Sequence, residues 1–238
     1  MPGLRRVMRL TPDVVAMVPP FSGDSGLLAT RSDRPTDDDY QTATANLLAT
    51  APADGNIWIF AYGSLIWNPE FEFVEERLGT LAGWHRSFCL GWVRIYRGTP
   101  ENPGIMLALD RGGSCRGAVF RLPRETAAEN LGRILRREMP IKRPNLPTRW
   151  VSVRTTHGDL RAIAFPISRK SAAYLPGLTE ETVVDALAKA SGERGSMAEY
   201  LYSTVKHLEE RGIHDRYLWR LQELVADKIL AIVAAGQP

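Results

Sequence analysis

Six consecutive apolar and aromatic residues, Ile57–Tyr62, are followed directly by Gly63-Ser64. A run of this length and composition is typical of a strand buried on both faces, and such a strand belongs at the centre of a fold. The glycine and serine after it allow a sharp turn, in which backbone N–H groups can approach a ligand closely. We therefore expect a buried strand that holds backbone donors at the mouth of a pocket. The alternative is a plain strand-to-turn junction.

Further strand-like segments continue as far as Ile167 and are separated by turn residues. They are Arg77–Leu81, Trp84–Tyr96, Gly104–Leu109, Cys115–Leu122, Trp150–Thr155 and Leu160–Ile167. Short strands at such close intervals predict an antiparallel or mixed sheet that curls into a small barrel. Gly112-Gly113 is interpreted as a hairpin turn. One helix, at about Arg124–Glu138, interrupts the series, because Pro123 and Pro140 are suitable start and stop residues.

The last sixty residues are predicted to be helical. Thr179 is a candidate N-cap for a first helix, and Ser196 with Glu199 matches a capping box for a second. Asp215 begins a third helix, with an apolar face that includes Leu218 and Ile229. Since an apolar helix face is buried against another element, these helices are expected to flank the strands. The predicted fold class is α+β, a small mixed or antiparallel barrel with flanking helices and a C-terminal helical segment.

The first 55 residues differ from the rest in composition. Pro19-Pro20 and the run Asp37-Asp38-Asp39 are typical of loops and connectors, although a short helix is possible at Asp39–Ala49. The segment is too short and polar to bury a core of its own. We predict an N-terminal arm at residues 1–55 that packs on a main domain at residues 56–238.

Charge and cysteine content exclude several classes of function. With 30 Lys and Arg against 27 Asp and Glu, the net charge is only +3, and the basic residues are scattered among acids. This pattern does not favour a nucleic-acid partner. Cys89 and Cys115 lack metal-ligand or redox spacing, and the four histidines form no ligand motif, so no metal site is expected. No apolar run has the length of a membrane span, and a cytoplasmic location is the expectation.

Glu138 is the residue with the strongest indication of chemistry. It continues the apolar stripe of the predicted helix, four residues after Ile134 and seven after Leu131. It also lies in the last turn, where the helix dipole disfavours a carboxylate. Both effects raise its pKa above the reference value of about 4.3, which suits a general acid or base. The alternative is a surface glutamate paired with Arg136, Arg137 or Lys142.

Weaker candidates for substrate binding lie near Gly98 and in the second C-terminal helix. Arg94 or Arg97 can hold a substrate carboxylate through two parallel hydrogen bonds, or either can be a solvated charge at a strand edge. Tyr200 follows the Ser196 cap and is either a core aromatic or a phenol directed at a pocket. No phosphate-binding loop or dinucleotide fingerprint is present.

Together these segments resemble the ChaC family of glutathione-specific γ-glutamylcyclotransferases over about Ile57 to Ile229. The likeness rests on six short segments in the order of the family: Tyr62–Trp67, Trp84-His85-Arg86, Arg97-Gly98-Thr99-Pro100, Gly113–Gly117, Arg136–Met139 and Ala198–Leu201. Two stretches depart from the family pattern. Gly91–Tyr96 stands where a more polar stretch is expected, and Pro140–Pro147 is rich in proline.

The resemblance implies a compact barrel with flanking helices and a glutathione substrate. It also implies that the turn Tyr62, Gly63, Ser64 and Leu65 binds the γ-glutamyl group and that Glu138 is the acid/base. The α-amine of the γ-glutamyl group would attack its own γ-carbonyl and form 5-oxoproline, a reaction that needs no cofactor. Arg97 and Tyr200 are the further substrate-binding candidates.

Two alternatives remain open at this point. The same pocket can serve a cyclotransferase for other γ-glutamyl amino acids or γ-glutamylamines, or a non-catalytic module that binds a γ-glutamyl compound. A buried carboxylate without a chemical role is costly, which argues against the second alternative. The residues do not indicate an oligomeric state.

Overall fold

The computed structural model describes residues 7–23, 34–142 and 147–236. The chain divides into two compact units that interleave along the sequence. One consists of Met1–Leu28, Gly91–Met106 and Pro176–Pro238 and is called the helical unit. The other consists of Ala29–Leu90 and Leu107–Leu175 and is called the barrel unit.

Five strands form a closed barrel in the order β1-β3-β2-β4-β5. Their bounds are β1 Trp58–Ala61, β2 Glu75–Val93, β3 Gly104–Arg121, β4 Arg149–Thr155 and β5 Gly158–Ala164. Strand β1 pairs antiparallel with β3 and parallel with β5, and β4 pairs antiparallel with β5. All four residues of β1 are buried, as its unbroken apolar composition predicts. The predicted mixed barrel and the α+β fold class are confirmed.

The hairpin predicted at Gly112-Gly113 is wrong. Both glycines lie inside the continuous strand β3, with φ angles of 107° and 66°. In the same way, Gly83 has a φ of 81° within β2, so two predicted strands are one. Glycine reaches these angles without a steric penalty, and a strand can therefore bend or bulge there without ending. Long continuous strands replace the shorter ones expected from the turn residues.

The described part of the barrel unit also contains two helices, α2 at Asp37–Ala49 and α3 at Ala127–Glu138. Helix α3 buries Leu131, Ile134 and Leu135, the residues that the sequence pattern placed on its apolar face. Helix α2 packs on α3. A short 3₁₀ turn, Ser64–Ile66, follows β1.

The described residues of the helical unit form four helices, α1 Pro12–Ala16, α4 Glu180–Lys189, α5 Met197–Glu210 and α6 Arg216–Gly236. The last three pack on one another, and α1 packs on α5 and α6. The short strands β6 (Ser191–Gly192) and β7 (Gly195–Ser196) join α4 to α5. The amides of Arg9 and Leu10 both donate to the buried Gln222 side-chain oxygen, at 2.9 and 3.0 Å.

The predicted caps of the C-terminal helices are confirmed. Thr179 accepts from the Thr182 amide at 3.1 Å, and Ser196 accepts from the Glu199 amide at 3.0 Å. The Asp215 carboxylate accepts from the Leu218 amide at 3.1 Å. The boundary between an arm and a main domain at residue 55 stays a prediction.

Candidate active site

Hydrogen bonds from the Tyr62 and Arg86 side chains fix the chain where β1 leads into the turn. The Tyr62 hydroxyl donates to the Phe165 carbonyl at 3.1 Å. The buried Arg86 donates through Nε to the Tyr62 carbonyl at 2.6 Å and through Nη2 to the Arg116 carbonyl at 2.5 Å. These hydrogen bonds fix the chain just before Gly63.

Beyond Gly63 the chain coils into the 3₁₀ turn. The Ile66 amide donates to the Gly63 carbonyl at 2.9 Å, and the Asn68 amide donates to the Ser64 carbonyl at 2.8 Å. The amides of Ser64 and Leu65 stand at the beginning of this turn, where N–H groups have no partner within a helical turn. The turn therefore presents backbone donors at the end of a rigid strand.

Glu138 is the last residue of α3, and its side chain is only 14% exposed. Burial is the largest influence on its carboxyl group and raises the pKa to about 7. The Arg137 guanidinium acts in the opposite direction and lowers this pKa, whereas the Glu70 carboxylate raises it. A carboxyl with this pKa exchanges a proton readily at neutral pH, as a general acid/base must.

Arg137 joins the turn to Glu138. Its Nη2 donates to Ser64 Oγ at 2.9 Å, and it also donates to the Asn68 carbonyl. Its Nε lies 3.4 Å from Glu138 Oε1, and its Nη1 lies 3.3 Å from Glu70 Oε2. The structure thus brings the turn and the helix carboxylate together through one guanidinium. The sequence pattern offered Arg137 only as a surface partner for Glu138 and did not indicate its bond to Ser64.

The other two cations suggested as surface partners of Glu138 pair elsewhere. Arg136 Nη2 lies 2.8 Å from Asp37, and Lys142 Nζ lies 3.6 Å from Asp39. Of the three partners considered for a surface glutamate, only Arg137 lies beside Glu138. The pair lies in a site that is mostly removed from water, and not at the surface. The proline-rich stretch noted in the sequence includes residues 143–146, which lie outside the described residues.

Arg97 and Tyr200 belong to the helical unit and contact each other. The Arg97 guanidinium lies 5.3 Å from the centre of the Tyr200 ring, donates to the Ser196 carbonyl at 2.9 Å and lies 3.5 Å from Glu199 Oε2. Tyr200 is buried, and Arg97 is 12% exposed at its side chain. Arg94, by contrast, is exposed to solvent. Of the two arginines considered for this loop, only Arg97 is fixed in place.

Glycines allow the loop that carries Arg97 to fold tightly. A Cβ on Gly98 would lie 2.4 Å from both the Val93 carbonyl oxygen and the Gly104 nitrogen. A Cβ on Gly192 would lie 2.6 Å from the Gly98 nitrogen. Backbone segments approach each other so closely here that a side chain cannot be accommodated.

The chain is similar to known proteins in sequence and in fold. The profile of the family described as ChaC-like protein matches residues 57–228. The chain is 41% identical over 172 residues to the glutathione-specific γ-glutamylcyclotransferase of Escherichia coli, a match that covers 72% of this chain and 73% of the relative. The chain belongs to the ChaC-like family.

A more distant relative and a solved structure are also similar to this chain. The chain is 29% identical over 181 residues to γ-glutamylcyclotransferase 2-1 of Arabidopsis thaliana, which covers 73% of this chain and 83% of that protein. A crystal structure of a yeast γ-glutamyl cyclotransferase specific to glutathione matches with a TM-score of 0.65. The match covers 72% of this chain and 96% of the yeast chain, and at 21% identity it shows the fold.

The ChaC-like chain has no recognisable metal centre in residues 7–23, 34–142 and 147–236, where histidine, cysteine and acidic side chains form no cluster of three or more. Within the same residues, no helix is long and apolar enough to cross a membrane. Both cysteines are buried, and burial raises the pKa of the Cys89 thiol to about 11. A thiol that stays protonated is a poor nucleophile, which leaves Glu138 as the better candidate for chemistry.

Proposed function

We propose that this ChaC-like protein cleaves glutathione into 5-oxoproline and cysteinylglycine, with Glu138 as the general acid/base. The observation that carries the proposal is the largely buried Glu138 carboxyl, whose pKa is raised to about 7 and which is joined through Arg137 to the turn after β1. Membership of the ChaC-like family and the 41% identity to the Escherichia coli enzyme support the same activity.

The reaction is a ring closure within the substrate. The α-amine nitrogen of the γ-glutamyl group forms a bond to its own γ-carbonyl carbon, and the bond from that carbon to the cysteine nitrogen breaks. Since attack is intramolecular, the protein chiefly has to hold the substrate in its folded conformer. An ammonium has no lone pair, so a base must first take its proton.

Glu138 both accepts and donates a proton during the reaction. As a carboxylate it accepts the proton of the α-ammonium, and as a carboxylic acid it returns a proton to the departing cysteine nitrogen. A carboxyl with a pKa of about 7 is present in both forms at neutral pH. Arg137, which lowers this pKa, keeps part of the carboxyl population ionised.

We assign the turn Tyr62, Gly63, Ser64 and Leu65 to the γ-glutamyl group. The amides at the beginning of the 3₁₀ turn are suited to the oxyanion that develops on the γ-carbonyl, at the usual donor distance of roughly 2.7–3.1 Å. Arg97 and Tyr200 are assigned to substrate binding, with the Arg97 guanidinium pairing with a substrate carboxylate. A cytoplasmic location stays a prediction.

The decisive experiment is an incubation of the purified protein with glutathione. We expect 5-oxoproline and cysteinylglycine to appear in equal amounts, measured by mass spectrometry. Glutathione bound without any 5-oxoproline would indicate a binding module and overturn the proposal. Parallel incubations with γ-glutamylalanine and a γ-glutamylamine test the substrate, and equal rates on these compounds would contradict the assignment to glutathione.

A further inference from the structure

None of the residues assigned to the reaction lies on helix α2. It spans Asp37–Ala49 and precedes residues 57–228, which match the family profile. Its N-terminus is well capped: Thr36 accepts from the Asp39 amide at 3.2 Å, and the Asp39 carboxylate accepts from the Thr36 amide at 2.7 Å. A short helix with two reciprocal capping bonds has a fixed beginning.

The buried face of α2 lies on the helix that carries Glu138. Tyr40, Thr44 and Leu47 are its buried residues, and α2 packs on α3. The far end of α2 is fastened separately, because Trp150 Nε1 on β4 donates to Thr50 Oγ1 at 3.1 Å. Both ends of the helix are therefore attached within the barrel unit.

The contacts from the first turn of α2 converge on the end of α3. The Tyr40 hydroxyl donates to the Met139 carbonyl at 3.0 Å, and Met139 is the residue directly after Glu138. Arg136 pairs with Asp37 at 2.8 Å, and its guanidinium lies 5.1 Å from the centre of the Tyr40 ring. These contacts hold the residues on either side of the Arg137-Glu138 pair.

A hydroxyl donor at this position has a clear physical effect. The last carbonyl groups of a helix have no partner within it, and helix ends fray when nothing else satisfies them. Tyr40 is 9% exposed, so its bond to Met139 is partly shielded from competition by water. Without this donor, the last turn of α3 loses an anchor one residue beyond the Glu138 carboxylate.

We propose that α2 is a positioning element of the active site, in which the Tyr40 hydroxyl holds the Met139 carbonyl and thereby fixes the last turn of α3 and the direction of Glu138. Tyr40 is a positioning residue in this arrangement. The proposal rests on the acid/base role assigned to Glu138.

A test of this proposal must leave the charged groups around Glu138 and Tyr40 unchanged. Arg137 and Glu70 act on Glu138. The charged groups that act on Tyr40 are Arg34, Arg136, Asp37 and Asp39. A substitution that removes the hydroxyl alone leaves every one of these charges in place, and for that reason Tyr40→Phe is the variant of choice.

The control is Thr50→Val, which also removes one hydroxyl from the region of α2, at the end away from Met139 and on a bond to Trp150. We expect Tyr40→Phe to lower kcat about tenfold, as small misplacements of a reacting group do, with little change in KM. We expect the acidic limb of its pH profile to move to lower pH, because a looser helix end admits water to Glu138. Thr50→Val should keep the wild-type kcat and pH profile, whatever its effect on Tm.

Two results would overturn the proposal: wild-type kcat and pH profile in Tyr40→Phe, or the same changes in Thr50→Val. A ¹³C NMR titration of the Glu138 carboxyl in wild type and Tyr40→Phe gives a readout that needs no turnover. A lower pKa in Tyr40→Phe supports the positioning role, and an unchanged pKa contradicts it. If the proposed function itself is wrong, the wild-type protein forms no 5-oxoproline, which distinguishes that outcome from failure of the positioning role.

Discussion

Two arginine–glutamate pairs of the molecule have almost the same separation but differ in the exposure of the glutamate. Arg137 lies 3.4 Å from Glu138 in the barrel unit, and Arg97 lies 3.5 Å from Glu199 in the helical unit. Both arginines are shielded from water. The Glu138 side chain is 14% exposed, whereas that of Glu199 is 52% exposed.

Both glutamates have an arginine partner, so the chemical difference between the two pairs comes from burial. Burial penalises whichever charged form it surrounds. It raises the pKa of the Glu138 carboxyl to about 7, and it lowers the pKa of the Arg97 guanidinium. The first pair is therefore suited to proton transfer. The second offers a desolvated guanidinium with a solvent-accessible counter-ion, which is suited to binding an anionic group.

The largest expected effect is that of Glu138→Gln. We expect the rate of 5-oxoproline formation to fall by about 10²- to 10⁴-fold, the usual contribution of a general acid/base. The matched control is Glu199→Gln, the glutamate of the other pair, which should change kcat by less than about twofold because its pair is partly solvated. Substantial turnover in Glu138→Gln would remove Glu138 from the mechanism.

The stability of the same variant has a predictable sign. The folded protein binds the Glu138 proton more tightly than the unfolded chain does, since the folded pKa is raised. The stabilising effect of that proton is present below the unfolded pKa and is lost as pH rises through about 7. Thermal melts should therefore show Glu138→Gln gaining stability relative to wild type between acidic pH and pH 8.

The next largest effect concerns the second pair. Arg97→Ala should raise KM for glutathione by roughly 10- to 100-fold and leave kcat nearly unchanged, because a charge-assisted hydrogen bond to a carboxylate contributes about 1.5–3 kcal/mol. Arg94→Ala is the control from the same loop, since Arg94 is exposed, and its KM should stay at the wild-type value. Steady-state kinetics distinguish the two variants, and an unchanged KM in Arg97→Ala would exclude the binding role.

The elements of this comparison were predictable to different degrees. The buried strand β1, the helix ending at Glu138 and its raised pKa follow from local patterns: an unbroken apolar run, a 3.6-residue stripe and two bracketing prolines. Each of these signals is contained in a few consecutive residues. For the same reason, the position of Glu138 in its helix is predictable without knowledge of any tertiary contact.

Contacts between distant residues were not predictable in this way. Arg137 and Ser64 are 73 positions apart, and Tyr40 and Met139 are 99 apart. No periodicity in a single sequence links such positions. The continuity of strand β3 was missed for a different reason, since Gly112 and Gly113 carry a turn signal but lie within one continuous strand. Glycine permits both outcomes, and the surrounding pairing of strands decides between them.

The smallest expected effect tests how Arg137 acts on Glu138. Since this guanidinium lowers the Glu138 pKa, Arg137→Gln should raise that pKa and move the acidic limb of the kcat/KM profile to higher pH. Near pH 7 the rate should fall by about threefold, as fewer carboxyl groups are ionised. Arg137→Lys retains the positive charge and is the matched control, and its acidic limb should stay close to that of wild type. If both variants shift the acidic limb equally, the hydrogen bond between Arg137 and Ser64 controls the Glu138 pKa, and the charge of Arg137 does not. An unshifted limb in Arg137→Gln, together with a lower kcat at every pH, would show that Arg137 holds the turn in place without tuning the acid/base.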